Sequence, residues 1–147
     1  MDEEKIEALG KYLSVAYKAF FSLLDERLDA YEIGAEELHL LIPIYKEGRL
    51  PQKTVCEIFH QDKATIARRL EQLEQKGFIR REEDPKDRRR KLIYLTQKSE
   101  SKRPEFRKIL KAIERNLRAE LSQEEVETFL LIMKKICRIL RTGEEEC

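Results

Sequence analysis

Apolar residues recur at every third or fourth position along the N-terminal part of the chain, which is the period of one face of an α-helix. The pattern runs from Ile6 to Tyr31 and ends near Gly34. A helix of roughly 25 residues is about 38 Å long at a rise of about 1.5 Å per residue, more than a small domain needs for its own core. We therefore expect part of this apolar face to contact a second protein chain.

Three shorter helical patterns follow, over residues 35–46, 51–59 and 62–76. Pro43 should bend the first of them, and Pro51 suits the opening turn of the second, where a missing N–H costs nothing. Asp62 is a good N-cap for the third, because its carboxylate can accept the unpaired N–H groups of the first turn, and Gly77 ends that helix. Two short helices that meet at a tight turn are thus predicted.

A basic segment follows directly on these helices. Residues 80–91 read RREEDPKDRRRK and carry seven basic groups. The residues on either side, 78–79 and 92–96, are apolar and β-prone, while Asp84-Pro85-Lys86-Asp87 supplies turn chemistry. The pattern predicts a two-stranded ribbon. Helix, turn, helix and ribbon, in that order, are typical of a winged helix-turn-helix module.

Two further amphipathic helices are predicted after Thr96, with Ser122 opening the second one in a capping-box pattern. Their apolar positions are Phe106, Ile109, Leu110, Ile113, Leu117 and Leu121 in the first, and Val126, Phe129, Leu130, Met133, Ile136, Cys137 and Leu140 in the second. The predicted fold class is mainly α (α+β). We expect a winged helix-turn-helix DNA-binding lobe over residues 35–97, and a helical dimerisation region built from residues 1–34 and 98–147.

The charge of the chain is unevenly distributed, although the net charge is only +1. Residues 62–103 carry fourteen Lys/Arg against eight Asp/Glu, which is +6 and leaves −5 for the rest. The electric field of such a charge distribution attracts a polyanion to one face of the protein and orients the polyanion there. This favours double-stranded DNA as the partner. No apolar run approaches the roughly 18 residues of a membrane span, and the acidic start lacks the features of a signal peptide. A cytoplasmic protein without membrane association is expected.

The middle of the chain, Val55 to Ser99, resembles the core of the MarR family of transcriptional regulators. The resemblance is carried by LEQKGFI at residues 73–79, by DPKDRR at residues 84–89 and by Leu95-Thr96. It implies a homodimeric winged-helix regulator on a palindromic operator, and we expect a repressor. The chain departs from the family at His60 and Gln61, where a glycine and an apolar residue are usual, and at Ser99, where a glycine is frequent. A residue other than glycine with positive φ would be strained in that turn.

The candidate DNA contacts fall into two groups. In the helix they are Lys63, Thr65, Arg68 and Arg69, which lie opposite or beside the buried stripe, and in the wing they are Asp87, Arg88, Arg89, Arg90 and Lys91. Arginine can take guanine O6 and N7 as a bidentate pair, so Arg68 is the main base-reading candidate, while Arg69 could instead pair with Asp62, Glu74 or phosphate. The alternative for the helix charges is an ordinary solvated face.

The resemblance implies that Asp87 braces Arg89 and that Arg89 enters the minor groove. Alternation along a strand would place Arg88 and Arg90 on one face and Arg89 and Lys91 on the other. The alternative for Arg90 and Lys91 is a charged edge that prevents strand aggregation.

A small aromatic or anionic effector is a further expectation, through the resemblance alone. The candidate effector-binding residues are Tyr12, Tyr17, Phe20, Phe21, His39 and Tyr45. Their helical spacing is explained equally by an ordinary core.

The three cysteines are odd in number and irregularly spaced, which favours reduced thiols, with Cys56 and Cys137 packing inside. Cys147 is expected to be exposed and could form an adventitious or intermolecular disulfide. Cys56 and His60 have the i, i+4 spacing of metal ligands, but a site needs more ligands, so neither a metal nor another cofactor is expected. No phosphate loop or nucleophile motif indicates an enzyme. The alternatives to a specific regulator are a non-specific architectural DNA binder and a winged-helix protein-interaction module.

Overall fold

The computed structural model describes residues 3–141, with side chains from residue 8 onward, and it confirms the mainly helical class with a small antiparallel sheet. The elements are α1 (Glu3–Arg27), α2 (Ala35–Glu47), β1 (Arg49–Pro51), α3 (Gln52–Phe59), α4 (Lys63–Gln75), β2 (Ile79–Asp84), β3 (Asp87–Leu95), α5 (Gln97–Ala119) and α6 (Gln123–Leu140). The chain forms two compact units, and the boundary between them lies within α2, between His39 and Leu40. None of the helices in the described part is long and apolar enough to cross a membrane.

The first unit consists of α1 and the beginning of α2. The helix α1 ends at Arg27, earlier than the apolar pattern predicts, and a short turn follows in which the Tyr31 N–H donates to the Leu28 carbonyl at 2.8 Å. The carboxylate of Asp25 then accepts the Ala35 N–H at 2.6 Å, so a side chain of α1 satisfies a backbone donor at the start of α2. Several large apolar residues of α1 are exposed: Leu9, Tyr12, Val15 and Tyr17.

The second unit contains a three-stranded sheet in the order β1-β3-β2, one strand more than the predicted ribbon. Gly48, at φ 84°, ends α2 and turns the chain into β1, where Leu50 faces Ile93 of β3. Pro51 belongs to the end of β1 and immediately precedes α3. The sequence pattern missed β1 because a strand of three residues is too short to show alternation, and Pro51 suits both positions.

The winged lobe, residues 49–95, has a core formed by α3, α4 and the sheet. Its buried side chains are Leu50, Val55, Cys56, Ile66, Leu70, Leu73, Phe78, Ile79, Leu92 and Ile93, each at most 8% exposed. The stripe of Ile66, Leu70 and Leu73 is completely buried, which confirms the predicted inner face of α4. These three buried side chains fix the rotation of α4 about its own axis, and therefore which of its residues face outward.

The last two helices bury few of their apolar residues. Thr96 caps α5, and Ser122 caps α6 in a complete capping box with Glu125, as the sequence predicts. Phe106 and Ile113 of α5 are buried, at 2% and 3% exposure. Exposed apolar side chains occupy the end of α5 and much of α6: Leu117, Leu121, Phe129, Leu130, Leu131, Ile132, Ile139 and Leu140. The last positions of the α5 stripe and much of the α6 stripe are therefore exposed within one chain.

Candidate nucleic-acid interface

The turn between α3 and α4 is made by His60 and Gln61. His60 has φ 51° and ψ 43°, and it is the one non-glycine residue with positive φ in the described part of the chain. This left-handed conformation normally favours glycine because a Cβ atom is crowded there. The strain expected from the departure at this position is therefore present, and it lies in the segment that sets the angle between the two helices.

The N-terminus of α4 is capped by Asp62, as predicted. Its carboxylate accepts the Thr65 N–H at 2.8 Å and the Thr65 hydroxyl at 2.8 Å. These two hydrogen bonds hold the pKa of the exposed Asp62 carboxyl below its usual value of 3.8. Because the Thr65 hydroxyl proton is already donated to Asp62, this hydroxyl is left to act as an acceptor toward any nucleic acid.

The outward side chains of α4 differ in how they are held. Lys63 and Arg68 are exposed, and neither forms an ion pair with another described residue. Arg69 is half-buried, and its Nη1 donates to the Gln61 side-chain oxygen at 3.1 Å. The two exposed cations are thus available to a ligand, whereas Arg69 also supports the turn that precedes the helix.

A hydrogen-bonded ion pair joins α4 to the wing. The Glu74 carboxylate accepts the Arg81 N–H at 3.0 Å and its Nη2 at 3.1 Å. The Arg81 side chain is only 17% exposed, so this pair is better shielded from solvent than the other ion pairs of the wing. This contact is not apparent from the sequence, because the six positions between the two residues include a turn whose geometry the sequence does not specify.

The tip of the wing contains an irregularity in strand pairing. Glu83 faces Lys91, but the next residue, Asp84, faces Asp87, so residues 88–90 stand opposite no residue of β2. Asp84 is buried, at 8% exposure, and its carboxylate accepts the Lys86 N–H at 2.9 Å, which fixes the turn. This irregularity interrupts the regular pairing next to residues 88–91, and their alternation between two faces stays a prediction. All four side chains are exposed.

The basic side chains of the wing tip, residues 87–91, have few internal partners. Arg89 is 92% exposed, and its Nε lies 3.3 Å from the Asp87 carboxylate, which also accepts the Arg89 N–H at 3.1 Å. The contact that the resemblance implies between these two residues is present. Arg90 lies 3.9 Å from Asp84. Arg88 and Lys91 form no ion pair with the described residues, so the tip presents its charge directly to solvent.

The six candidate effector residues are divided between the two units. Within the first unit, Tyr17, Phe20, Phe21 and His39 are in ring contact, with Phe21 and His39 centroids 4.7 Å apart. Burial lowers the pKa of His39. Tyr12 is 70% exposed.

Tyr45 belongs to the second unit, where its hydroxyl donates to the Ser99 carbonyl at 2.7 Å. Burial raises the pKa of Tyr45 to about 12. The phenol therefore remains a hydrogen-bond donor at any physiological pH.

The cysteines depart from the sequence expectation. Cys56 is buried, at 2% exposure, as predicted, but it is disulfide-bonded rather than reduced. Cys137 is exposed, because the apolar stripe of α6 on which it lies is itself uncovered within one chain. Cys147 lies outside the described residues. No group of three or more His, Cys, Asp and Glu residues suited to a metal ion occurs in the part of the chain that the structure describes.

Comparisons with known proteins agree with this architecture. Residues 33–91 match the model of the MarR family. The transcriptional regulator HosA of Escherichia coli O111:H- is 32% identical over 87 residues, which are 59% of this chain and 64% of the relative. The chain thus spans just under two thirds of the length of this relative.

Two solved structures extend the likeness over most of the chain. The MepR–DNA complex of S. aureus has a TM-score of 0.81 at 27% identity, covering 92% of this chain and 98% of that one. A MarR transcriptional regulator from Methanosarcina mazei Go1 has a TM-score of 0.81 at 26% identity, covering 91% and 99%. The family model identifies residues 33–91 as a MarR-family region, and the relative and the solved structures show that the chain is similar to winged helix-turn-helix proteins of that family.

Proposed function

We propose that this chain is a sequence-specific DNA-binding transcriptional regulator, with α4 in the major groove and the wing tip against the minor groove and the phosphates. The observation that carries the proposal is the pair of exposed cations on α4, Lys63 and Arg68, which have no ion-pair partner among the described residues and lie on a helix whose inner face is completely buried. A helix fixed in this way can direct Arg68 to guanine O6 and N7. The MepR structure contains DNA, which supports the same mode of action here.

The wing tip has a different proposed role. Arg89 reaches outward from a backbone held by Asp87, which suits insertion into the narrow minor groove, where the potential is more negative. Arg88, Arg90 and Lys91 are placed to contact phosphate, which adds affinity without sequence information. Together the two groups contain all nine residues proposed to contact DNA: Lys63, Thr65, Arg68, Arg69, Asp87, Arg88, Arg89, Arg90 and Lys91.

A homodimer is proposed as the active form. Large apolar side chains are exposed near the end of α5 and along α6, with Phe129, Leu131 and Leu140 each more than half exposed, and exposure of this kind favours a protein–protein contact. Closed twofold symmetry would present two winged lobes to a palindromic operator. Sedimentation velocity tests this proposal: a species of about twice 17.5 kDa is expected, and a monomer at micromolar concentration would contradict it.

Repression is the proposed sign of regulation, because a dimer that covers two half-sites excludes other proteins from the same DNA. Relief by a small aromatic or anionic effector is proposed as well. Such a molecule regulates only if it binds more tightly to a dimer whose lobes are misplaced for the half-sites. The ring cluster around Phe21 and His39 is the proposed contact for its aromatic part.

In vitro selection from a randomised duplex library, followed by competition in a mobility-shift assay, tests the DNA-binding proposal. A sequence-specific regulator should enrich a palindromic motif that outcompetes random duplex at least about 10³-fold. Equal competition by random duplex would instead support an architectural DNA binder. Absence of any binding would support a protein-interaction module.

A further inference from the structure

The C-terminal end of α4 is held by three side chains from the beginning of α5. The last carbonyl groups of a helix have no partner inside the helix, so they must be satisfied from outside. In α4 a Schellman motif satisfies two of them: the Gly77 N–H donates to the Glu74 carbonyl at 3.0 Å, and the Phe78 N–H donates to the Leu73 carbonyl at 3.0 Å. Gly77 has φ 81°, the left-handed conformation that this motif requires.

The three residues that directly follow α4 are Lys76, Gly77 and Phe78, and side chains at the beginning of α5 bind their carbonyl groups. The Lys98 ammonium donates to the Lys76 carbonyl at 2.8 Å, and the Thr96 hydroxyl donates to the Gly77 carbonyl at 2.6 Å. The Ser99 hydroxyl donates to the Phe78 carbonyl. We call Thr96, Lys98 and Ser99 the clasp. Three consecutive carbonyl groups directly after one helix are thus bound by side chains within a single turn at the start of another.

Additional contacts make the clasp rigid. The Lys98 ammonium lies 4.8 Å from the centre of the Phe78 ring, and as a cation it also complements the negative end of the α4 dipole. Ser99 is completely buried, and its carbonyl accepts the Tyr45 hydroxyl at 2.7 Å, which joins α2 to the same point. Thr96 also caps α5, because its hydroxyl oxygen accepts the Ser99 N–H at 3.2 Å. Each member of the clasp therefore has its own position fixed.

We infer that the clasp sets the tilt of α4 relative to α5 and thereby determines how sharply the protein distinguishes its operator from other DNA. The inference rests on the proposed DNA-binding function and assigns positioning residues outside the DNA-contacting set. Twelve rises of about 1.5 Å separate Lys63 from Gln75, so α4 is about 18 Å long, and each 10° of tilt about its C-terminal end moves its N-terminal end by about 3 Å. A displacement of this size exceeds the tolerance of a directed hydrogen bond.

Base contacts and phosphate contacts respond differently to such a displacement. Bidentate hydrogen bonds to a base edge require a defined position of the guanidinium group, whereas long basic side chains can follow a phosphate that has moved relative to the backbone. Loss of the clasp is therefore expected to lower affinity for the operator much more than affinity for random DNA. A purely stabilising role would reduce the folded fraction equally for both duplexes and leave the ratio of the two affinities unchanged.

The test compares Lys98→Met with Lys102→Met, which removes the same charge from the next turn of α5, where Lys102 pairs with Glu105 at 3.5 Å. The probes are the best duplex obtained by in vitro selection with the wild-type chain and a random duplex of equal length, measured by fluorescence anisotropy at several salt concentrations. Lys98→Met should lower the affinity ratio at least tenfold relative to Lys102→Met, with an equal salt slope. A ratio within twofold of that control overturns the inference.

A second pair of variants keeps the test independent of stability. Thr96→Val should lower the affinity ratio, and Thr96→Ser, which retains the hydroxyl donor, should restore it. Ser101→Ala serves as the neutral control, because its hydroxyl donates only to the local Lys98 carbonyl among its described partners, at 2.8 Å. If Thr96→Val does not fold, the Lys98 variant decides alone.

If the wild-type chain itself shows no preference between the duplexes, the proposed function fails and the inference fails with it. If the wild-type chain discriminates and the clasp variants discriminate equally, only the inference fails.

Discussion

The helix α4 and the wing tip carry charge of the same sign, but the structure fixes them to different degrees. Ile66, Leu70 and Leu73 anchor the inner face of α4, Asp62 caps its beginning and the clasp holds its end. Residues 88–90 of the wing tip, by contrast, face no residue of β2 in the strand register, and Arg89 is 92% exposed. From this difference we propose that charge of the same sign serves two purposes: the anchored helix distinguishes DNA sequences, and the loosely held tip supplies affinity.

The largest effect is expected from removing an anchor of the helix. Leu70→Ala should lower the free energy of unfolding by about 2–5 kcal/mol, because it leaves a cavity at a completely buried position. Arg88→Ala at the wing tip should change the same quantity by less than about 0.5 kcal/mol. Urea denaturation followed by circular dichroism measures both. Similar losses in the two variants would remove the distinction between an anchored and a loosely held region.

The next effect concerns base discrimination. Arg68→Ala should lower affinity for the selected duplex by about 1–3 kcal/mol, roughly 5- to 150-fold, because it removes a bidentate contact with a base. Affinity for random DNA should fall only as much as in Lys108→Ala, which removes one exposed positive charge from α5. Fluorescence anisotropy with both duplexes measures the effect. An equal loss on the two duplexes would assign Arg68 to the phosphates instead.

A smaller and uniform effect is expected from the wing. Arg89→Ala should weaken binding to the selected and the random duplex by the same factor, and should reduce the magnitude of the log–log salt slope by about 0.9 because one phosphate-neutralising charge is lost. Asp87→Asn should have an affinity for both duplexes between those of Arg89→Ala and the wild type. The carboxylate that positions Arg89 is lost in this variant, but the guanidinium group remains. A salt titration of each variant measures the slope. A changed preference between the duplexes would contradict the assignment.

The smallest effect is a dependence on acid pH. The hydrogen bonds from Thr65 lower the pKa of Asp62 in the folded state below 3.8. The cap therefore stabilises α4 fully above that pH, and its contribution is lost as the pH falls through the folded-state pKa. In Asp62→Asn the melting temperature should therefore decrease less than in the wild type as the pH falls below about 4, the range in which an unperturbed aspartate takes up its proton. Glu71→Gln is the matched control, and equal profiles for the two variants would contradict the role of the cap.

Much of the fold can be predicted from the sequence, because helix periodicity and helix capping depend on residues that are close together in the chain. The order of the helices, the cap at Asp62, the capping box at Ser122 and the stop at Gly77 all follow from residue type and spacing. The contact between Asp87 and Arg89 is different in kind, since it was expected through the resemblance to the family rather than from the residues alone.

The missed features depend on tertiary structure. The strand β1 is only three residues long, and the bulge at the wing tip shifts the register between β2 and β3. The pair of Glu74 with Arg81 and the bonds of the clasp join residues on different elements, so no local pattern marks them. Cys137 was expected inside because an apolar stripe looks the same whether one chain or two cover it.

In vitro selection repeated with the wild-type chain, Arg68→Ala and Arg89→Ala tests the contrast between α4 and the wing tip most directly. All three proteins are incubated with the same randomised library, and the enriched motifs are compared base by base. Arg68→Ala is expected to lose preference at one base pair in each half-site, while Arg89→Ala enriches the wild-type motif at lower overall affinity. Loss of preference with Arg89→Ala, together with an unchanged motif for Arg68→Ala, would contradict the division of roles between the helix and the wing.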